Sequence, residues 1–174
     1  IAFSARLSDE ATKATPTISL DGKKAGVIGY AYDQISTLTL LESLDGKTFK
    51  FDGDQLVSAS EADMVKWSTI PNPETGRLKV YAYSPETLNF TTEIKSGETI
   101  TGHCLPSLSY TVPDNVSAQT DIITAVSEVS AQFRKNIPMT FDHALTAIKF
   151  RSGFDEAITV NSIKITKVKD SGTY

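Results

Sequence analysis

Cysteine is nearly missing from this 174-residue chain: Cys104 stands alone. A lone thiol excludes an internal disulfide and leaves the compartment open. No apolar run approaches the roughly 20 residues that a membrane-spanning helix needs. Basic residues are scattered, with Lys23-Lys24 and Arg134-Lys135 the only adjacent pairs, and the formal net charge is −4. Without a stripe of Lys and Arg, neither nucleic-acid binding nor a polybasic membrane patch has an electrostatic basis. Gly-x-Ser-x-Gly, a phosphate-cradling glycine loop and a dinucleotide fingerprint are all lacking, so nothing positive points to an enzyme. Internal repeats and low-complexity tracts are lacking too.

What is present is ordinary globular composition, 40% hydrophobic and 22% charged, enough for one domain with its own core. Two-residue alternation dominates. Arg77-Leu78-Lys79-Val80-Tyr81 alternates polar and apolar positions after Pro71–Gly76 and is closed by Pro85, as a half-buried strand requires. Ile158, Val160, Ile163, Ile165 and Val168 repeat the pattern, with a phase break at Asn161-Ser162 that suggests a bulge. Further strands are expected at Thr17–Leu20, Ala25–Tyr32, Leu38–Leu41, Lys47–Phe51, Glu93–Ile100, Ser109–Val112, Ile137–Phe141 and Ala147–Phe150. Asp21-Gly22, Asp45-Gly46 and Asp52-Gly53 supply turn residues between them. Many short strands at regular spacing indicate an all-β sandwich or barrel. Glu61–Trp67 has room for one or two helical turns. Asp121–Phe133 carries both signals: Ile122, Val126, Val129 and Phe133 share a helical face, while its β-branched residues favour a strand. Strand over the first half and loop after it is the expectation.

Four stretches together carry a resemblance. The first is Ile1-Ala2-Phe3-Ser4 with Thr12-Lys13-Ala14-Thr15 and Val27–Tyr32. Next come Trp67 and Val80-Tyr81-Ala82-Tyr83-Ser84-Pro85. Asp121–Ala125 then leads into Ile137–Leu145, with its Phe141-Asp142-His143-Ala144-Leu145 element. The last is Ile163–Val168 with Gly172-Thr173-Tyr174. In order and spacing these resemble the fimbrillin-like family, whose members build the stalk, tip and anchor of type V pili. The resemblance implies a transthyretin-like β-sandwich, mostly antiparallel, filling residues 1–174 as the N-terminal domain of a longer two-domain protein. It also implies an exported lipoprotein precursor, located at the cell surface, outer membrane or fimbrium of a Gram-negative bacterium. Its partners would be other fimbrial subunits or a host surface ligand, with the membrane reached only through an upstream lipid anchor.

In that family an N-terminal strand is removed by an Arg- or Lys-specific protease, and a neighbouring subunit's strand fills the groove. Strand addition of this kind works through main-chain hydrogen bonds, with alternate side chains seated in pockets. Carried over, the displaceable strand is Ile1–Leu7, with Ile1, Phe3, Ala5 and Leu7 on one face. Where the family often has Thr-Arg-Ala this chain has Thr12-Lys13-Ala14, so Lys13 or Arg6 is the processing point. The alternative is a surface-anchored glycan- or protein-binding module that does not polymerise.

The remaining chemistry-bearing residues favour structural roles. Adjacent His103 and Cys104 would face opposite ways in a strand. His143 has only Asp142 close by as a ligand partner, so a turn-closing bond to a backbone carbonyl is expected. Asp45-Gly46 and Asp52-Gly53-Asp54 lack the calcium-loop order. Trp67, Tyr81 and Tyr83 are candidates for a sugar-stacking platform; on a regular strand Tyr81 and Tyr83 share one face, opposite Val80 and Ala82. No metal or cofactor is expected.

Overall fold

Alternation becomes a closed wall. The computed structural model describes residues 1–8, 19–32, 37–58, 60, 64–69, 76–101, 105–130, 132, 135–145, 153, 159–164, 166 and 171–173. Its strands are β1 (Phe3–Leu7), β2 (Lys24–Tyr32), β3 (Thr37–Leu40), β4 (Lys47–Asp52), β5 (Gln55–Ser58), β6 (Arg77–Ser84), β7 (Thr99–Thr101), β8 (Ser109–Thr111), β9 (Ile123–Ser130), β10 (Ile137–His143) and β11 (Ser171–Thr173). Among the described residues there is no α-helix, only 3-10 turns at Glu42–Leu44, Trp67–Thr69 and Val116–Ala118.

Seven strands form a ring in the order β4-β5-β1-β10-β9-β6-β2, and β2 pairs back onto β4 to close it. This overturns the expected transthyretin-like, mostly antiparallel sandwich. A sandwich has two sheets with separate edges, whereas the β2–β4 ladder leaves one continuous barrel. The barrel is also mixed, because β1 runs parallel to β10. Closure removes the free edges that an open sheet must otherwise protect. β8 and β11 pair separately.

The interior is packed, as expected for so narrow a barrel. Phe3, Phe49, Phe51 and Phe141 supply bulk, and Ala5, Ala25, Ala82 and Ala125 make room for them. Phe3 meets Phe49 edge-on at 5.2 Å, and Phe51 meets Phe141 at the same separation. Such pairs add about 0.5–1.5 kcal/mol each beyond burial.

β2 is buried along nearly its whole length because both faces are covered. Ala25, Val27 and Ala31 join the barrel core, while Ile28 and Tyr30 belong to a second cluster outside it. The strand also forks: its first half pairs with β4, its last residues with β3, which continues to β7. Gly29 sits at the fork. A Cβ there would lie 2.5 Å from Leu44 Cδ1 and 2.9 Å from Leu44 Cβ, so the missing side chain is what lets buried Leu44 fill the gap.

Other expectations shift. β9 continues through Ser130, because Ile123, Ala125 and Val129 alternate inward over its full length. In place of a strand at Glu93–Ile100 there is a turn at Lys95–Glu98 containing Gly97 at φ +79, and only Thr99–Thr101 pairs. Residues 159–164 and 166, in the alternating C-terminal stretch, are exposed and not in a strand. Residues 64–66 of the helical candidate are not helical. Ala147–Phe150 lies outside the described residues.

Candidate functional site

β1 begins as a plain alternation, and the barrel turns it into part of the wall. Phe3 and Ala5 point inward and are buried, Phe3 completely. Ile1 and Leu7 are partly buried against the same core. Ser4 and Arg6 face outward between them. The leading residues singled out from the sequence therefore share one face.

The ladders on the two sides of β1 differ. Against β10 it runs from Phe3 opposite Ile137 to Leu7 opposite Phe141. The Ile137 amide donates to the Ala2 carbonyl at 2.9 Å, and the Ser8 amide donates to the Phe141 carbonyl at 2.8 Å. This ladder is parallel, a slightly weaker arrangement per residue than antiparallel pairing. Against β5 only Phe3 opposite Leu56 and Ser4 opposite Gln55 are in register. The cause is local. β5 starts immediately after the Asp52–Asp54 turn, where Gly53 takes φ +57, so β1 runs past its end, and the Ala5 amide donates to the Asp54 carbonyl at 2.7 Å. The Ile1 amine donates to the Val65 carbonyl.

β10's other ladder is equally short, with Thr124 opposite Asp142 and Ile123 opposite His143. β1 and β10 thus form a parallel pair held to the antiparallel run β5-β4-β2-β6-β9 by two short seams. His143 closes the second seam. Its Nδ1 lies 2.9 Å from Asp121 Oδ1, and its side chain is only 7% exposed. The partner is a carboxylate and not the backbone carbonyl expected from the sequence, because Asp121 just precedes β9 in the row beside it. The Ala144 amide adds a bond to the Ile122 carbonyl at 2.8 Å.

Arg6 is exposed, and its Nε donates to Thr140 Oγ1 at 3.2 Å. Its backbone, however, is held in the ladder opposite Thr140, so a protease reaches that peptide only after β1 lifts away. Lys13 lies outside the described residues, as do His103 and Cys104.

The other sequence candidates separate. Asp45-Gly46 and Asp52-Gly53 are turns, with Gly46 at φ +64. Among the described residues no group of three or more His, Cys, Asp or Glu converges on a metal position. No helix among them is long and apolar enough to cross a membrane. Trp67 packs against the barrel core, whereas Tyr81 and Tyr83 lie in the outer cluster, so the three do not form one platform.

A further feature escaped sequence reasoning. Tyr81, Tyr83, Phe90, Leu105, Pro106 and Val126 line a cavity of about 260 Å³ on the outer face of β6 and β9. Tyr83 is fixed from below, since a Cβ on Gly26 would fall 2.2 Å from its Cζ. Phe90 lies over it with ring centroids 4.4 Å apart. Burial raises the Tyr83 phenol above its ordinary range, with Asp45 adding to the effect. The segment bearing Phe90 is tied down by the Thr91–Ser107 bridge, with backbone bonds of 2.8 and 2.9 Å. The sequence does place Tyr81 and Tyr83 on one face; Leu105-Pro106 arrives there only through the tertiary fold.

Comparison with protein-family models, curated proteins and solved structures finds no match for this chain.

Proposed function

We propose that this chain is a non-catalytic fimbrial subunit or fimbria-associated adhesin that assembles by inter-subunit strand exchange, with β1 as the strand that leaves. The observation that carries the reading is the position of β1 in the barrel wall. It places a completely buried phenylalanine in the core, yet its ladder to β5 covers only Phe3 and Ser4. Withdrawing it opens a groove between β5 and β10, with unpaired backbone groups on both rims. A replacement strand must bring a large apolar side chain to the Phe3 position and a small one to the Ala5 position, the strand-addition mode of recognition.

The four-part resemblance to fimbrillin-like proteins points the same way, although the barrel differs from the sandwich which that resemblance implies. Ile1, Phe3, Ala5 and Leu7 are the inward set of the exchanged strand. A cut after Lys13 lies beyond the end of β1 and would release all of it; a cut after Arg6 would leave Leu7 behind. The partners are other subunits of the fibre or a host surface ligand, at the outer surface of a Gram-negative cell. A second reading, a surface module that binds a ligand without polymerising, is favoured by the outer aromatic cavity.

Intact mass and N-terminal sequencing of the protein from its native outer-membrane fraction test the proposal. A chain starting after Arg6 or Lys13 within a high-mass polymer is the expected result. An untrimmed chain found only as a monomer overturns strand exchange and leaves the binding module.

A further inference from the structure

Two strands flank β1, and the wall holds them at opposite ends. β5 is laddered to β4 along its whole length, from Gln55 opposite Asp52 to Ser58 opposite Phe49. Its edge beside Phe3 and Ser4 is therefore firm. β10 is held differently. The Ile137 amide donates to the Ala2 carbonyl, and the Phe141 carbonyl accepts from the Ser8 amide. Residues 137, 139 and 141 thus turn their backbone groups toward β1, and 138, 140 and 142, alternating with them, turn theirs toward β9. Pro138 falls in the second set. It has no amide proton to give, so the ladder to β9 lacks a donor at that end. Among the described residues, β10 is in register with β9 only at Asp142 and His143.

Withdrawal of β1 removes the ladder from Ile137 to Phe141. The backbone of β10 is then bonded to the wall, among the described residues, only at its His143 end. There the Ala144 amide donates to the Ile122 carbonyl at 2.8 Å, and His143 Nδ1 lies 2.9 Å from Asp121 Oδ1. Both side chains are shielded, His143 at 7% and Asp121 at 25% exposure. A hydrogen bond to a carboxylate is also stronger than a neutral one.

We propose that His143 and Asp121 form a pin that keeps β10 in place as one rim of the vacated groove. The inference rests on β1 being the exchanged strand. β5 positions the part of the groove that receives Phe3 and Ser4; the pin, acting through β10, positions the part that receives Arg6 and Leu7. His143 and Asp121 are positioning residues, and a loss of either should be felt at one end of the exchanged strand only.

Amide hydrogen exchange of the full chain tests the pin without trimming. The Ser8 amide, bonded to the Phe141 carbonyl, reports the β10 rim, and the Ala5 amide, bonded to the Asp54 carbonyl, reports the β5 rim. Asp121→Ala, and His143→Phe with its ring bulk kept, should each speed Ser8 exchange about tenfold, the scale of one charge-assisted hydrogen bond. Ala5 exchange should change less than about twofold. Equal acceleration of both amides, or none at Ser8, overturns the pin. In the chain trimmed of β1, a peptide of Ile1–Ser8 should bind about tenfold more tightly than one of Ile1–Ala5, because it adds the Leu7 side chain. In either variant that advantage should largely vanish. An advantage that persists unchanged in both variants overturns the pin and leaves strand exchange standing. No uptake of either peptide by the otherwise unaltered trimmed chain overturns strand exchange, and the pin's part in it.

Discussion

Phe3→Ala is the substitution that probes β1 most sharply. The ring is completely buried and meets Phe49 edge-on at 5.2 Å. Truncating a buried phenylalanine to alanine destabilises by about 3–5 kcal/mol, combining lost transfer energy with the cavity left behind. The wall around it is hydrogen-bonded on both sides, so it has little freedom to collapse, and the upper half of that range is expected. With a urea dependence of about 2 kcal/mol per molar, the denaturation midpoint should fall by roughly 2 M. Ser4→Ala, one residue away but facing outward, should stay within about 0.5 kcal/mol. Equilibrium urea unfolding followed by tryptophan fluorescence at Trp67, which packs against the same core, reads both variants. A loss below about 1 kcal/mol for Phe3→Ala, or equal losses for the two, would refute an inward β1 that completes the core.

Three other outcomes can be checked in the same protein. Gly26→Ala should destabilise by roughly 1–3 kcal/mol, because the new Cβ meets the Tyr83 ring and the ring is covered by Phe90; in a double-mutant cycle with Tyr83→Ala the penalty should largely disappear. His143→Gln or Asp121→Asn should each lose about 1–3 kcal/mol in urea unfolding, since each leaves a largely buried partner poorly paired. Tyr32 is pushed up to about 12, by burial first and then by its hydrogen bond to Glu128 and that carboxylate's charge. Because the folded-state value is raised, the stability linked to Tyr32 is complete below about pH 10 and is lost as pH climbs through about 12. Absorbance titration at alkaline pH should show Tyr32 and Tyr83 both ionising late, and Glu128→Gln should bring only Tyr32 earlier.

Local pattern was enough for much of the wall. β2, β4, β6 and β10 coincide closely with expected strands, because alternation and turn residues act within a few positions of each other. β1 was not among the strands expected from alternation; Ile1–Leu7 was marked out only through the family resemblance. Nor was β5 legible: Gln55–Ser58 is short and buries only Leu56 deeply, too little for a periodic signal. β9 was only half legible, since a strand with Val126 exposed and Val129 buried also fits a helical face. Closure was illegible for another reason. The parallel β1–β10 pairing joins residues far apart in the chain, such as Phe3 and Ile137, and the β2–β4 ladder depends on how β2 forks at Gly29. Neither leaves a local mark, so a sandwich and a barrel have the same strand pattern. The candidate site divides in the same way. The leading strand was marked out through the resemblance, whereas its short seam with β5 and the aromatic cavity arise only from the fold.

The most direct test of strand exchange is to remove β1 and offer it back. A specific protease site placed between residues 9 and 18 would allow the first strand to be cut off, and a labelled peptide with the sequence Ile1–Ser8 would then be added. Loss of Phe3 and Ala5, with Ile1 and Leu7 beside them, forfeits roughly 3–6 kcal/mol of burial. The trimmed chain is therefore expected to be destabilised by at least that amount, to self-associate, and to recover both stability and monomeric state as it takes up the peptide. A trimmed chain that stays monomeric with an unchanged unfolding midpoint and ignores the peptide contradicts strand exchange, and so does one that unfolds and is not rescued by it.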